Sequence, residues 1–445
     1  MKAFIMAGGK GTRLVTLTKD LIPKPLVKVV GKPILERTIE TLKQNGVDEV
    51  YISVNHLAGR IIDYFKDGAD FGVKIHYIVE NEPLGSGGAL YYLKGKVEED
   101  FIVCSGDTIF DIDIAKMVEF HKAKHSKITM LVHPNSHPFD SDLVECSADS
   151  RVKRLSFKNS QRDYFYKNLV NAGFFIVEPS CLSFFTTRRE VNMEHDFINH
   201  FIERGDSVFA YKSPEYIKDV GTVKRFVDTE QDILNKVPER KNLKNKQRAI
   251  FLDRDGTINK YKGYITNADD FELADKVEEA IRKINQSDFL AIVVTNQPVV
   301  ARGDCTQEEL ENIFKKMETL LGSSGAYVDG IYYCPHHPNA GFVGEVPELK
   351  IDCDCRKPKI GLLTKAQADF NLDLEKCYIV GDSHIDVQTG KNAKIPQVKV
   401  KSDLIENKAI EPTFYAENLL DAVDIILEKE RNNEKRNSRV NERLL

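Results

Sequence analysis

The feature that most constrains this chain is an alternation of short apolar, β-rich runs with helical patterns. It begins at the first residue and starts afresh near residue 249 with different loop chemistry. Residues 2–7 read as a strand that empties into glycines. Residues 33–45 read as a helix with Ile34, Leu35, Thr38, Ile39 and Leu42 on one face, and 49–55 and 101–105 as further strands. Strands separated by helix-length segments pair in parallel, because a parallel connection needs a long crossover. The pattern therefore predicts βαβ units and a mostly parallel sheet. A second set of strands at 249–253, 290–295, 331–334 and 377–381 predicts another α/β unit rather than a repeat of the first. Between the sets, residues 235–248 hold six basic residues, one acidic residue and one proline, with little apolar content. That composition reads as a linker, or as the solvated end of a helix starting near Val223. The division expected is thus two Rossmann-like domains, 1–235 and 249–428, joined by a basic linker at 236–248. A charged tail follows at 429–445, read as either a frayed helix or a disordered end.

The 445 residues suffice for two or three domains at about 100–200 residues each. A net charge of −5 gives no broad attraction to nucleic acid. No apolar run approaches the roughly 20 residues of a membrane helix. The apolar start runs into glycines without the length or small-residue cleavage site of a signal peptide. Eight cysteines in a chain this long do not make a disulfide scaffold. These readings predict a cytoplasmic chain whose partners are small molecules, not nucleic acid or membrane, and leave homo-oligomerisation open.

The first strand runs into Gly8-Gly9-Lys10-Gly11-Thr12-Arg13. Glycines there let the backbone approach a polyphosphate and aim N–H groups at it, with Lys10 and Arg13 supplying charge. The spacing is neither that of a dinucleotide fingerprint nor that of a P-loop, so taken alone it could be a tight turn. Further along come Pro23-Lys24-Pro25, the run Glu80-Asn81-Glu82-Pro83-Leu84-Gly85-Ser86-Gly87-Gly88, Ser105-Gly106-Asp107-Thr108, Asn171-Ala172-Gly173 and Lys218-Asp219-Val220-Gly221-Thr222. In this order the motifs resemble those of the sugar-phosphate nucleotidyltransferases over residues 1–230.

That resemblance implies attack of a sugar-1-phosphate oxygen on the α-phosphorus of a nucleoside triphosphate, with loss of pyrophosphate. Such a reaction needs positioning and charge neutralisation. Asp107 and Asp219, at strand ends, would converge on Mg²⁺, a hard cation that prefers oxygen ligands. Arg13 would stabilise the departing pyrophosphate and Lys24 the attacked phosphorus. Gly8, Gly9, Gly11, Thr12, Gly85, Gly88 and Gly173 would line the substrate site. Lys158 matches a lysine that touches the sugar phosphate, although Phe157 replaces the usual acid before it, and an exposed lysine is the competing reading. Val15-Thr16-Leu17 also departs from the arginine and proline usual after the glycine loop. The base can be argued physically: guanine offers two adjacent donors that a carboxylate accepts together, whereas pyrimidines suit a glutamine amide. Glu80 stands where pyrimidine-specific relatives tend to carry glutamine, which predicts GTP; the alternative is a solvent-facing Glu80 with Glu82 reading the base.

The second set of strands opens on an apolar run ending Asp253-Arg254-Asp255-Gly256-Thr257. Two carboxylates one residue apart at a strand end can divide labour, one attacking phosphorus and the other protonating the leaving oxygen. Val294-Thr295-Asn296-Gln297, Arg356-Lys357-Pro358 and Gly381-Asp382-Ser383-His384-Ile385-Asp386 follow. The set resembles the haloacid-dehalogenase superfamily over residues 249–400. The resemblance implies Asp253 as nucleophile and Asp255 as acid and then base. Thr295 and Lys357 would sit on the phosphoryl oxygens, with Asn296 beside them. Asp253, Asp382 and the backbone carbonyl of Asp255 would hold Mg²⁺, needed where an anion must approach an anion. Asp386 reads equally as a helix N-terminal acid.

Cys334-Pro335-His336-His337-Pro338 and Cys353-Asp354-Cys355 form two sulfur/nitrogen pairs. They suit closed, structural Zn²⁺ through Cys334, His336, Cys353 and Cys355, with reduced cysteines at a loop crossing as the bland reading and His337 as the less favoured ligand. The loop resembles that of the heptose-bisphosphate and histidinol-phosphate phosphatases, with a minimal cap. Gly263-Tyr264 and Ala301-Arg302-Gly303 lean towards the heptose type, where Arg356 would grip a second phosphate. Pro298-Val299-Val300 and Ser383 depart from it. The fusion implies one pathway: a heptose 1,7-bisphosphate loses its C7 phosphate, and the heptose 1-phosphate is activated with GTP. The competing reading is a hexose-1-phosphate guanylyltransferase fused to an unrelated small-molecule phosphatase.

Overall fold

The computed structural model describes residues 1–9, 14, 18–19, 21–402 and 410–442. It falls into two compact units. One comprises Met1–His133, Ser141–Ser160 and Leu169–Asn245; the other comprises Pro134–Asp140, Gln161–Asn168 and Lys246–Leu445.

In the first unit the strand Lys2–Met6 lies between Glu49–Val54 and Phe101–Ser105, parallel to both, and Lys74–Val79 extends the parallel side. Val170–Val177 runs antiparallel to Phe101–Ser105 on the other flank. Ile128–His133 pairs antiparallel with Val170–Val177, and Val208–Lys212 runs parallel to Ile128–His133. The helix Ile34–Gln44 buries the five residues read as one face, Ile34, Leu35, Thr38, Ile39 and Leu42. The polar member is satisfied: the Thr38 hydroxyl donates to the Ile34 carbonyl at 3.2 Å and the Thr108 carbonyl at 3.0 Å. Because Lys2–Met6 has later strands on both sides, the chain reverses direction across the sheet there. A crevice opens at its C-terminal end, where doubly wound folds bind ligands.

The second sheet is parallel throughout, in the order Gly330–Cys334, Phe289–Asn296, Arg248–Leu252, Tyr378–Gly381, Gln397–Val400, Phe414–Ala416. Its first strand in the chain, Arg248–Leu252, is again the one flanked by later strands on both sides. The reversal point therefore falls at Asp253.

The expected division of the chain is redrawn in three places. Val237–Lys241 is helical, and the stretch read as a linker is anchored to the first unit as far as residue 245 and to the second from residue 246. Leu243 is 3% exposed and its N–H donates to Glu215 Oε1 at 2.8 Å; the Asn242 amide donates to Asp111 Oδ1 at 2.6 Å. Glu215 also accepts from the Asp113 N–H and the Ser213 hydroxyl. Burial pushes its carboxyl above the usual range although those donors pull the other way. At the other end, the helix Leu419–Glu442 runs through residue 428. Glu430 accepts from Arg248 at 2.9 Å and from the Tyr378 hydroxyl at 2.8 Å. Finally, 134–140 and 161–168 belong to the second unit, packed on the helix Gln307–Ser323. The Tyr166 N–H donates to Thr319 Oγ1 at 2.9 Å, Lys167 pairs with Glu311 at 2.6 Å, and Phe165 joins the apolar core that holds Met317 and Leu321.

Candidate active sites

At the C-terminal end of Lys2–Met6 a cavity of about 440 Å³ is lined by Gly8, Gly9, Lys24, Glu80, Gly85 and Asp107, among others. Lys10, Gly11, Thr12 and Arg13 lie outside the described residues. Lys24 and Asp107 form an ion pair, and the Ser105 hydroxyl donates to Asp107 Oδ1 at 2.6 Å. Burial works to raise the Asp107 carboxyl, but Lys24 and Ser105 outweigh it and hold it below the usual carboxylate range. Asp107 and Asp219 stand at one end of the antiparallel ladder of Thr108–Asp111 with Tyr216–Asp219, in which Asp219 opposes Thr108 and the Val220 N–H donates to the Asp107 carbonyl at 2.9 Å. Asp219, with its side chain 43% exposed, is paired with Arg225. Carboxylates are the ligand type a hard divalent cation takes; here each is engaged by a basic side chain, Asp107 by Lys24 and Asp219 by Arg225.

Glu80 is 8% exposed and faces the glycine loop; a Cβ on Gly8 would lie 3.2 Å from its Oε1. Its Oε2 accepts the Leu84 N–H at 3.0 Å. Burial raises its carboxyl against that hydrogen bond and one from Ser53. Glu82 is exposed. Four expected residues are not brought to the cavity lining: Asp219, described above, and Gly88, Lys158 and Gly173. Gly88 is there for close packing, since a Cβ would lie 2.6 Å from the Arg189 carbonyl. Lys158 is exposed, its N–H tied to Asp142 at 2.8 Å. Gly173 donates its N–H to Asn171 Oδ1 at 3.2 Å. Ser105, not singled out from sequence, had one available signal: it sits two residues before the strand-end acid.

In the second unit Asp253 follows the central strand, and its N–H donates to the Val380 carbonyl at 2.9 Å. The Lys357 ammonium lies between Asp253 Oδ1 at 2.8 Å and Asp386 Oδ1 at 2.5 Å. Burial opposes the Lys357 charge, but the two carboxylates outweigh it and hold the ammonium protonated above its ordinary range. Burial pushes Asp253 up to about 7 and Asp382 up to about 6; Lys357 opposes both shifts and Asp386 adds to both. Candidate metal-ligand oxygens of Asp253, Asp382 and Asp386 lie within 4.8 Å of one another. Cis oxygens of an octahedral Mg²⁺ with bonds of about 2.1 Å sit about 3 Å apart and trans ones about 4.2 Å, so three gathered carboxylates are the ligand chemistry such an ion takes, with the Lys357 ammonium standing between two of them.

Asp386, read from sequence as equally a helix N-terminal acid, joins Asp253 and Asp382 in this set. Asp386 does double duty: it accepts from Ser383 in the capping box of the helix His384–Ala393 and also faces Lys357. The Asp255 carboxylate points elsewhere, onto Arg254, Asn259 and Gln297. Thr295 is buried, and its hydroxyl accepts from Gln297 at 2.9 Å. Asn296 spends its amide on the Lys357 backbone: its Oδ1 accepts the N–H at 2.9 Å and its Nδ2 donates to the carbonyl at 3.1 Å. It therefore braces the lysine, a role the sequence did not signal.

Cys334, His336, Cys353 and Cys355 gather as expected. The edges Cys334–Cys353, Cys353–Cys355, Cys355–His336 and His336–Cys334 measure 3.4, 3.3, 3.3 and 3.6 Å. A tetrahedral Zn²⁺ with Zn–S of about 2.3 Å and Zn–N of about 2.05 Å would give S–S edges of about 3.8 Å and S–N edges of about 3.6 Å; the four atoms stand at or a few tenths of an ångström inside those separations, so a small outward shift would seat the ion. His337 lies outside the set, its ring turned to Asn339. Arg356 donates to the His336 carbonyl at 3.1 Å, which ties the cysteine loop to the residue before Lys357.

A family model described as nucleotidyl transferase matches residues 2–236, more than half of the chain. The chain belongs to the nucleotidyl transferase family. A second model, described as HAD-hydrolase-like, matches residues 354–422 of this nucleotidyl transferase. A D-glycero-β-D-manno-heptose-1,7-bisphosphate 7-phosphatase of Yersinia pestis is 42% identical over 147 residues, 33% of this chain and 76% of that one. Its counterpart in Escherichia coli K12 is 43% identical over 147 residues, 33% and 75% of the respective chains. Among solved structures, HddC from Yersinia pseudotuberculosis is 28% identical, covers 52% of this chain and 99% of its own, and gives a TM-score of 0.46. The chain is thus a nucleotidyltransferase joined to a HAD-type phosphatase. Among the described residues no helix is long and apolar enough to cross a membrane.

Proposed function

We propose that this enzyme removes the C7 phosphate of a heptose 1,7-bisphosphate and then transfers GMP from GTP to the resulting heptose 1-phosphate, releasing pyrophosphate and a GDP-heptose. The observation that carries this reading is the identity of the second half with phosphatases named for the 1,7-bisphosphate, because the product of that reaction is a sugar 1-phosphate, the kind of acceptor a nucleotidyltransferase activates.

At the second site an Asp253 oxygen attacks the C7 phosphorus. The P–O bond to the sugar breaks, and the sugar oxygen takes a proton from Asp255. Water, deprotonated by Asp255, then attacks the aspartyl-phosphate and frees phosphate. Thr295 and Lys357 hold the phosphoryl oxygens, and Arg356 takes the second phosphate. Bound Mg²⁺, held by Asp253, Asp382 and Asp386, would offset the repulsion between nucleophile and phosphate. At the first site Lys24 and Arg13 neutralise the triphosphate and Glu80 reads guanine; Asp107 and Asp219 would hold Mg²⁺, which would supply further charge neutralisation at the phosphates. Support for Glu80 is its burial beside Gly8, against an exposed Glu82. Zn²⁺ in the Cys334, His336, Cys353, Cys355 set is structural. We place the chain in the cytoplasm, where thiols stay reduced for such a metal.

The test is a coupled assay with heptose 1,7-bisphosphate, GTP and Mg²⁺, reading phosphate and pyrophosphate separately. Asp253→Asn abolishes phosphate release and spares pyrophosphate release from added heptose 1-phosphate; Asp107→Asn does the reverse. Equal phosphate release from hexose bisphosphates would remove the heptose assignment. An unchanged preference for GTP in Glu80→Gln would remove Glu80 from base reading.

A further inference from the structure

The middle residue of Asp253-Arg254-Asp255 is among the largest fully buried side chains of the molecule. Arg254 is 1% exposed. Its Nη2 donates to both oxygens of Asp255, at 2.8 Å each, and its Nε reaches Oδ1 at 3.1 Å. Its guanidinium carbon stands 5.6 Å from the centre of the Phe314 ring. The remaining nitrogen, Nη1, is buried without a hydrogen-bond partner. An arginine kept for stability satisfies its arms, and a buried ion pair adds little stability over apolar packing. Here one arm is left unsatisfied while the others span a single carboxylate. Gln297 Nε2 donates to Asp255 Oδ2 at 2.8 Å and Asn259 Nδ2 to Oδ1 at 3.2 Å, so the carboxylate is fixed in both place and rotation.

We propose that Arg254 is a positioning residue for the phosphatase reaction: it orients Asp255 and stabilises the negative charge left there when Asp255 gives its proton to the departing sugar oxygen. The proposal rests on the phosphatase reading above. As the Asp253 oxygen bonds to phosphorus, the P–O(sugar) electron pair moves to the sugar oxygen, the Asp255 proton goes with it, and Asp255 becomes an anion facing the guanidinium. A donor-held anion of this kind lowers the barrier most where the leaving group most needs a proton.

This yields a leaving-group signature that a merely structural arginine would not produce. kcat/KM is measured for the sugar bisphosphate, whose leaving group is an alkoxide, and for p-nitrophenyl phosphate, whose phenolate departs without a proton. Arg254→Met is expected to lose about 10²-fold on the sugar substrate and only a few-fold on the aryl ester. The double variant Arg254→Met/Asp255→Ala is expected to be no slower than Asp255→Ala on the sugar substrate. Pyrophosphate release by the same preparations reports that the rest of the chain is intact. Should Arg254→Met fail to fold, Arg254→Lys, which keeps the charge but cannot span both oxygens, carries the same ratio test. Equal losses on the two substrates, or losses that multiply in the double variant, overturn the proposal. If the wild-type protein hydrolyses neither substrate, it is the phosphatase reading that fails.

Discussion

Gly256→Ala is the substitution whose consequence can be worked most directly from the geometry. Gly256 has φ +79°, and a Cβ built on it would lie 2.2 Å from Asp382 Oδ2 and 2.6 Å from Cγ. An ordinary contact needs a little over 3 Å, so the carboxylate must retreat by about 1 Å. It has little room to do so: Asp382 is buried, and its Oδ2 accepts the Ser402 hydroxyl at 3.0 Å. A displacement of about 1 Å in a catalytic constellation costs about 10²-fold in rate, and the left-handed conformation costs an alanine about 1–2 kcal/mol of stability. Gly263 separates the two effects, because it has φ +74° with nothing within 4 Å of a built Cβ. Gly263→Ala should therefore lower the Tm of the second unit by a similar few degrees yet keep phosphate release. Gly256→Ala should lower kcat and raise the Mg²⁺ concentration needed for half activity, with pyrophosphate release unchanged in both. Wild-type phosphate release and Mg²⁺ dependence in Gly256→Ala would refute the reasoning.

In the metal-free protein the raised carboxyls of Asp253 and Asp382 mean that the folded second unit binds protons the unfolded chain has already lost. Its Tm should fall as pH rises from about 4 through 7, and Asp253→Asn should flatten that slope. A Tm that rises over the window would contradict the assignment. Removing zinc with a chelator, or replacing Cys353 with Ser, should abolish phosphate release and lower the Tm of the second unit while nucleotidyl transfer continues; metal analysis should return one zinc per chain. Leu243→Asp should destabilise the first unit by about 2–4 kcal/mol, by burying a charge beside Glu215, read as an earlier denaturant midpoint.

Elements whose pattern is local were legible in the sequence. The face of Ile34–Gln44 follows from spacing alone, and Asp107 and Asp253 are recognisable because an acid ends an apolar run. The cluster of Cys334, His336, Cys353 and Cys355 was legible because its residue types are rare and paired at short spacing. What was not legible depends on partners far along the chain. Residues 236–248 look solvated because Glu215, which fixes Leu243, is elsewhere in the sequence. Arg254 looks like a surface charge until Phe314 and the rest of the fold close over it. Asp386 has a local role that hides its distant one, since its capping box is visible in the sequence and its contact with Lys357 is not. Asn296 sits in a motif expected to touch substrate, and only the fold shows its amide spent on the lysine backbone.

The assignment of 134–140 and 161–168 to the second unit has a consequence for how such a gene could be divided. A boundary drawn after residue 245 would leave the hydrolase without two of its own segments and strand them on the transferase. In this chain the hydrolase so cut would lose what packs on Gln307–Ser323. Recombination that swapped one catalytic half for another would have to carry these short pieces along or rebuild the surface of Gln307–Ser323, which favours inheritance of the two activities as a single piece.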